Sequence, residues 1–192
     1  VIDICLADPD RDELEDMEAF IQEVVKKVKA PLVIDSTDEK VIEKALKYSQ
    51  GKAIINSINL EDGEERFDAI VPLVKKYGGA LVVGTIDEVG MALTAEKKLE
   101  VAIRSHDLLV KKHGLKASDL IFDPLVFPVG TGDEQYIGSA NETVRGIQLI
   151  KVHLPECLTN LGGSNVSFGL PPVGREVLNA VYLYHCTQAG LD

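Results

Sequence analysis

The chain has 192 residues, a length that suits one domain with a sizeable core. Its hydrophobic content of 45%, charged content of 27% and net charge of −11 are typical of an acidic globular protein. The acidity argues against binding to nucleic acid or to anionic membrane surfaces, because both attract clustered Lys and Arg. No apolar run reaches the ~20 residues that span a bilayer, and no basic signal-peptide segment is present, so we expect no membrane segment.

The three cysteines do not indicate a disulfide framework or a zinc site. Cys5, Cys157 and Cys186 are far apart in the sequence, odd in number and without a C-x-x-C pair. We therefore predict reduced thiols and a cytoplasmic location.

Short apolar segments alternate with helical patterns along the whole chain. The segments that read as buried strands are residues 1–6, 32–34, 53–55, 80–84, 120–122 and 157–158. The first helix is expected to follow an N-cap at Asp10, and the last helix is expected to bury Val177, Leu178, Val181 and Leu183. Residues 85–94 are predicted as a glycine-containing loop and residues 125–138 as a long loop.

This alternation predicts an α/β fold around a parallel sheet that is buried on both faces. A doubly wound open sheet and a TIM-type (β/α)8 barrel both satisfy it. A complete barrel needs roughly 250 residues, or about thirty for each of its eight units. The chain supplies six such units, so we interpret residues 1–192 as a single partial barrel domain that lacks the first and last strands.

Polar residues recur where the predicted strands end. Because parallel strands end at one edge, these side chains are expected to line one shared mouth. The set contains Asp3, Asp35, Ser36, Thr37, Asn56, Ser57, Thr85, Asp87, Asp123 and Asn165, without Lys, Arg or His.

Carboxylates and carboxamides suit a flat heterocycle with adjacent N–H donors, such as the amidine edge of a pterin. They do not suit an anionic phosphate, which needs basic residues or a glycine nest. Each position also has a plainer interpretation, since Asp or Asn after a strand often caps the next helix. Ser36 and Thr37 are expected to be caps. No cluster of residues indicates a metal site.

The residues at these strand ends resemble those of the pterin-binding methyltransferase barrels. The resemblance rests on four motifs in the family's order, and it extends over essentially the whole chain. It is strongest to the folate-binding module of cobalamin-dependent methionine synthase, followed by the corrinoid/iron–sulfur protein methyltransferase and, more distantly, by dihydropteroate synthase. The motifs are Leu-Val-Ile-Asp-Ser-Thr at 32–37, Ile-Ile-Asn-Ser-Ile-Asn at 54–59, Ile-Phe-Asp-Pro at 121–124 and Ser-Asn-Val-Ser-Phe at 164–168.

The resemblance implies a role for each of five residues. Asp35, Asn56 and Asp123 would hold the pterin ring of 5-methyltetrahydrofolate, the substrate. Asn165 would be the catalytic residue at the nitrogen that carries the methyl group, and Arg175 would face the aminobenzoate–glutamate tail. The methyl acceptor would be Co(I) of a cobalamin held by a separate corrinoid-binding domain or protein, which this chain alone does not bind.

Some features depart from the family's pattern and leave alternatives open. Family members usually carry Asp-x-Asn where this chain has Asp3-Ile4-Cys5. The zinc-binding cysteines of the homocysteine module and the cobalamin-binding His motif are absent. A dihydropteroate synthase-like reaction would need a Ser-x-Arg motif for pyrophosphate near the last strand. A non-catalytic folate-binding fragment is the alternative from a different class.

Replacing Asn165 with Ala tests the role that the resemblance implies. An amide bound to the reacting nitrogen acts most strongly in the transition state, where the charge on that nitrogen changes. We therefore expect the variant to lose more methyl-transfer rate than folate affinity, as measured by single-turnover transfer and equilibrium binding. Much weaker binding with normal turnover at saturation would contradict the assignment.

Overall fold

The computed structural model describes all 192 residues, Val1 to Asp192. The chain divides into two compact units. The first comprises Val1–Ile58 with Glu64–Val82, and the second comprises Asn59–Gly63 with Val83–Asp192. Both units alternate strands with helices, which confirms the predicted α/β class. None of the helices combines the length and the apolar character that crossing a membrane requires.

Parallel strands in sequential order form the first unit. Its elements are β1 (Ile2–Cys5), α1 (Glu13–Lys27), β2 (Leu32–Asp35), α2 (Glu39–Tyr48), β3 (Ile54–Ile58), α3 (Glu65–Tyr77) and the start of β4 (Ala80–Gly84). Strand β2 pairs in parallel with β1 on one side and with β3 on the other. Strand β4 begins beside β3, where the Ala80 N–H donates to the Ala53 carbonyl at 2.8 Å.

The core of this unit follows from the apolar composition of its strands and helix faces. Ile34 in β2 and Ile55 in β3 are fully buried. Helix α1 buries Met17 and Ile21, and α3 buries Phe67, while most of the charged residues of these helices are exposed. Asp35 is the last residue of β2, whereas β3 carries Asn56 and Ser57 within the strand.

The second unit begins with the end of β4. It continues with β5 (Ile86–Asp87), β6 (Gly90–Met91), α4 (Ala95–His106), β7 (Leu120–Asp123), α5 (Ser139–His153), β8 (Leu158–Thr159) and α6 (Pro172–Gln188). Helix α4 runs on into a π-helical segment, Asp107–Lys112, and a 3₁₀ segment, Gly163–Ser167, precedes α6. Strands β7 and β8 are parallel.

Residues 85–94, predicted as a loop, contain a small antiparallel hairpin. Its strands β5 and β6 pair Ile86 with Met91 and Asp87 with Gly90. Outside this hairpin the chain has six strands, which is two fewer than a complete barrel and agrees with the predicted partial barrel.

The buried face of α6 differs from the predicted one. Val177, Val181 and Leu183 were expected inside, but they are 62%, 50% and 58% exposed. The helix packs instead through Tyr182 and Cys186. Apolar residues occur on several sides of α6, so the apolar periodicity does not identify the packed side.

The helix caps also differ from the expected ones. Asp12, not Asp10, caps α1: its Oδ1 accepts the N–H groups of Leu14 and Glu15. Asp38 caps α2 through the Lys40 N–H. Ser36, which was expected to be a cap, accepts the Asp38 N–H in a turn before the helix, and Thr37 caps nothing.

Replacing Asp12 with Ala is expected to lower the free energy of unfolding by about 1 kcal/mol, because two N–H groups of the first helical turn lose their acceptor. Urea unfolding measures the loss. Replacement of the exposed Asp10 with Ala is the matched control and should change stability by less than about 0.5 kcal/mol. Equal losses in both variants would show that Asp12 is not the effective cap.

Candidate functional site

In the first unit, the carboxyl end of β2 brings two predicted site residues together, although β3 continues past Asn56 to Ile58. Asp35 at the end of β2 is in register with Cys5 of β1 on one side and with Asn56 of β3 on the other. Asp35 and Asn56 are both half-buried. Neither caps a helix, since α2 is capped by Asp38 and Glu64 precedes α3. The capping interpretation is therefore wrong for both.

The carboxyl group of Asp35 lies in an environment that disfavours its charge. Its pKa is raised above the ordinary value, mainly by burial and further by the negative charges of Asp3 and Glu13. No hydrogen bond within the unit engages the side chains of Asp35 or Asn56. An N–H donor on a ligand would offset the cost of burying this carboxylate.

Asp123 ends β7 in the second unit, and protein donors hold it on two sides. Its Oδ1 accepts the Leu125 N–H at 2.8 Å. Its carbonyl accepts the N–H of Thr85 at 3.0 Å and the Thr85 hydroxyl at 3.2 Å. Burial raises the pKa of the carboxyl group. Oδ2 remains without a protein donor, and the cap of the next helix, α5, is Gly138.

Two members of the predicted set have structural roles instead. Thr85 is fully buried and donates to the main chain of Asp123. Asp87 lies in the hairpin, where its carboxylate accepts the Val89 N–H and forms an ion pair with Lys97 at 2.8 Å. The sequence did not distinguish them, because a strand end and a hairpin turn favour the same polar residues.

Lys98 is a residue that the sequence analysis missed. It is fully buried in α4, and its Nζ donates to the carbonyls of Ala92 and Pro124. The Nζ also lies 4.9 Å from the centre of the Phe127 ring. Its position between the buried Ala95 and Ala102 on the apolar face of α4 was the available signal. Lysine is seldom fully buried unless paired, so the pattern alone assigns it to solvent.

Asn160, directly after β8, was missed as well. Phe122 is in register with Thr159, so Asn160 lies level with Asp123. Its main-chain N–H donates to the Phe122 carbonyl at 3.0 Å, and its side-chain Oδ1 is buried without a hydrogen-bond partner. A polar residue directly after the short β8 was the available signal.

Asn165 lies beyond the strand end, in the 3₁₀ segment Gly163–Ser167, and is exposed. Its side chain lies against Gly162, where an added Cβ would be 2.9 Å from the Asn165 Nδ2. The space left by Gly162 is thus filled by the amide of Asn165 itself. Because Pro171 is the N-cap residue of α6, the capping interpretation is wrong for Asn165 too.

Arg175 contacts the 3₁₀ segment that carries Asn165. Its Nε donates to the Ser167 hydroxyl at 3.2 Å and its Nη2 lies 3.4 Å from the Ser164 carbonyl. The Ser167 hydroxyl in turn donates to the Ser164 carbonyl at 3.1 Å. Arg175 therefore braces the turn that presents Asn165.

Comparison with known proteins places the chain in a family. The family model described as "Pterin binding enzyme" matches residues 1–192. The methionine synthases of Mycobacterium tuberculosis and Mycobacterium leprae are each 39% identical to it over 195 residues. These alignments include 100% of this chain but 16% of each relative, so the chain spans about one sixth of their length.

Solved structures of dihydropteroate synthase share the fold. The Yersinia pestis enzyme with a pterine–sulfa conjugate has a TM-score of 0.66 at 14% identity, over 97% of this chain and 70% of that one. The Coxiella burnetii enzyme with pteroic acid also has a TM-score of 0.66 at 14% identity, over 99% and 72%. The predicted barrel of the dihydropteroate synthase type is thereby confirmed, and the match over the full length shows that the chain belongs to the family of pterin-binding enzymes.

Proposed function

We propose that this chain binds 5-methyltetrahydrofolate and presents its methyl group to Co(I) of a corrinoid held by another module. This is the methyl-donor half of methionine synthesis. The proposal is supported by the family and by 39% identity over the whole chain to two methionine synthases. The remaining length of those relatives leaves room for the corrinoid-binding module and the other modules that the reaction needs.

The observation that carries the proposal is the pair formed by Asp35 and Asn56. They are register neighbours, Asp35 at the end of β2 and Asn56 within β3, they are half-buried, and no protein group uses their side chains. A carboxylate beside a carboxamide matches the alternating N–H donors and ring-nitrogen acceptors on the edge of a pterin. We assign Asp35 and Asn56 to that edge, and Asp123 to a further N–H group through its Oδ2.

Asn165 is assigned to N5, the nitrogen that carries the methyl group. When the methyl group leaves, the C–N bond breaks, its electron pair stays on N5 and N5 takes up a proton. An amide does not titrate, so Asn165 does not supply this proton. It accepts a hydrogen bond from protonated N5 or donates one to neutral N5, and so stabilises N5 as its charge changes.

Arg175 is proposed to support Asn165 and to bind the glutamate tail of the folate. Its bonds to Ser167 and Ser164 hold the turn of Asn165, and its remaining N–H groups are available to the glutamate tail of the folate. The three thiols are free, which is compatible with the proposed cytoplasmic location.

The test uses the full-length protein and two successive measurements. Equilibrium binding of 5-methyltetrahydrofolate comes first, and methyl transfer to free cob(I)alamin, followed by its absorbance change, comes second. Loss of a charged hydrogen bond in Asp35→Asn or Asp123→Asn should weaken binding roughly 10- to 150-fold. A folded protein that does not bind the folate would refute the proposal. Binding without transfer to free cobalamin or to a corrinoid protein would leave a folate-binding module.

Folate affinity should also depend on pH. Burial holds the pKa values of Asp35 and Asp123 above their ordinary range, so each carboxylate takes up its proton at a higher pH than a free Asp. A protonated carboxyl group accepts hydrogen bonds less well, and affinity should fall as pH drops through the raised pKa values. Calorimetric titrations across this range measure the fall, and the Asp123→Asn variant should show a smaller one.

Gly162 and Gly163 offer a matched pair of variants. In Gly162→Ala the new Cβ would lie 2.9 Å from the Nδ2 of Asn165, so the amide must move. In Gly163→Ala the new Cβ would meet no atom within 4 Å. We expect methyl transfer to fall at least about tenfold in the first variant, because a displaced group loses its transition-state contact, and to stay near normal in the second. Equal rates in the two variants would show that the position of Asn165 is unimportant.

A further inference from the structure

The buried ammonium of Lys98 is attached to the turn that follows Asp123. Its Nζ donates to the Ala92 carbonyl at 2.8 Å and to the Pro124 carbonyl, and it lies 3.5 Å from the Leu125 carbonyl. A buried ammonium is costly unless carbonyls or charges satisfy it. Lys98 therefore fixes the main chain of residues 124 and 125 through their carbonyls.

Leu125 is the link between this ammonium and the carboxylate. Its φ of 62° is in the left-handed region, which residues other than glycine seldom adopt without support. In this conformation its N–H reaches the Oδ1 of Asp123 at 2.8 Å. Its carbonyl accepts the Thr143 hydroxyl at 2.8 Å as well as the long contact from Lys98. The orientation of the Asp123 carboxylate thus depends on Leu125, which Lys98 and Thr143 hold in place.

The neighbouring helix leaves room for this lysine. Gly146 of α5 faces the Lys98 stem, and a Cβ at Gly146 would lie 2.8 Å from the Lys98 Cδ. On another side the ammonium faces the Phe127 ring, which stacks on Tyr136 with 5.1 Å between the ring centres. The side chain is therefore enclosed by α5 and by the long loop.

The charges around Lys98 connect it to Asp123 electrostatically. Burial lowers the pKa of Lys98 to about 8, and the negative charges of Asp123 and Glu142 oppose this shift. In return, the charge of Lys98 lowers the pKa of Asp123, against the larger effect of burial. Glu142 is engaged elsewhere, by the Ala95 N–H and by Arg145.

We propose that Lys98 is a positioning residue for substrate binding. Through Pro124 and Leu125 it holds the Asp123 carboxylate with Oδ1 bound to the Leu125 N–H and Oδ2 free for an N–H of the ligand, and its charge favours the ionised carboxylate. The identity of that ligand, the pterin ring, rests on the proposed function, whereas the positioning of the Asp123 carboxylate by Lys98 does not.

The first measurement follows the Leu125 amide by NMR in the full-length protein without ligand. Labelling with ¹³C-carbonyl proline and ¹⁵N-leucine selects Leu125, with Leu32 and Leu73, which also follow proline, as internal references. The Leu125 amide shift should titrate once as Asp123 loses its proton and again near pH 8 as Lys98 does. A wild-type Leu125 amide without the second step would overturn the inference, and this result needs no variant.

Variants then separate charge from packing. In Lys98→Met the step near pH 8 should vanish and the Asp123 step should move to higher pH. In Thr143→Val, which removes a donor to the same carbonyl but no charge, the step near pH 8 should remain. The control Lys111→Met replaces an exposed lysine of the adjoining π-helical segment and should leave both steps unchanged. An unmoved Asp123 step in Lys98→Met would overturn the inference.

The second measurement is 5-methyltetrahydrofolate affinity across the same pH range. Wild-type affinity should fall above about pH 8, and Lys98→Met should bind about tenfold more weakly at neutral pH without that fall. Binding by Lys98→Met equal to wild type would overturn the substrate role. If the wild-type protein binds no folate while the Leu125 steps behave as described, the proposed function fails and the hold of Lys98 on Asp123 stands.

Discussion

Burying a carboxylate without a partner is costly, and both Asp35 and Asp123 lie at the end of a buried strand rather than within it. In β2 three apolar residues are buried before Asp35, and in β7 the buried Phe122 directly precedes Asp123. An unpaired polar group further back would lose its water without gaining a partner. Both carboxylates therefore lie at the carboxyl ends of their strands and are partly buried.

The two carboxylates are supported in different ways. The Asp35 carboxylate is partly buried and lies near other negative charges, and no hydrogen bond fixes its orientation. Asp123 is bound at Oδ1, its main chain is tied to Thr85, and a cation lies behind its turn. In the proposed binding role, the Asp35 side chain would adjust to the ligand, whereas the Asp123 carboxylate would already be oriented, which avoids reorganisation during binding.

The sequence predicted the alternation of strands and helices and the placement of Asp35 and Asp123 at the ends of β2 and β7, because each follows a uniform apolar run. It ended the third strand too early, since β3 continues through Asn56 and Ser57 to Ile58. It did not predict Lys98, since burial of a lysine depends on carbonyls from distant segments that periodicity does not reveal. The cap of α1 was misassigned because Asp10 and Asp12 are chemically equivalent and only the start of the helix separates them. The turn that carries Asn165 depends on its packing against Gly162, which no local pattern encodes.

The exposed valines of α6 have a consequence for the behaviour of this chain in solution. Val173, Val177 and Val181 recur every four residues and form a continuous apolar stripe along one side of the helix. At neutral pH the net charge of −11 keeps molecules apart by mutual repulsion. As the carboxylates become protonated this repulsion fades while the stripe remains, so colloidal stability, rather than unfolding, is expected to set the acid limit at which the isolated chain stays dispersed.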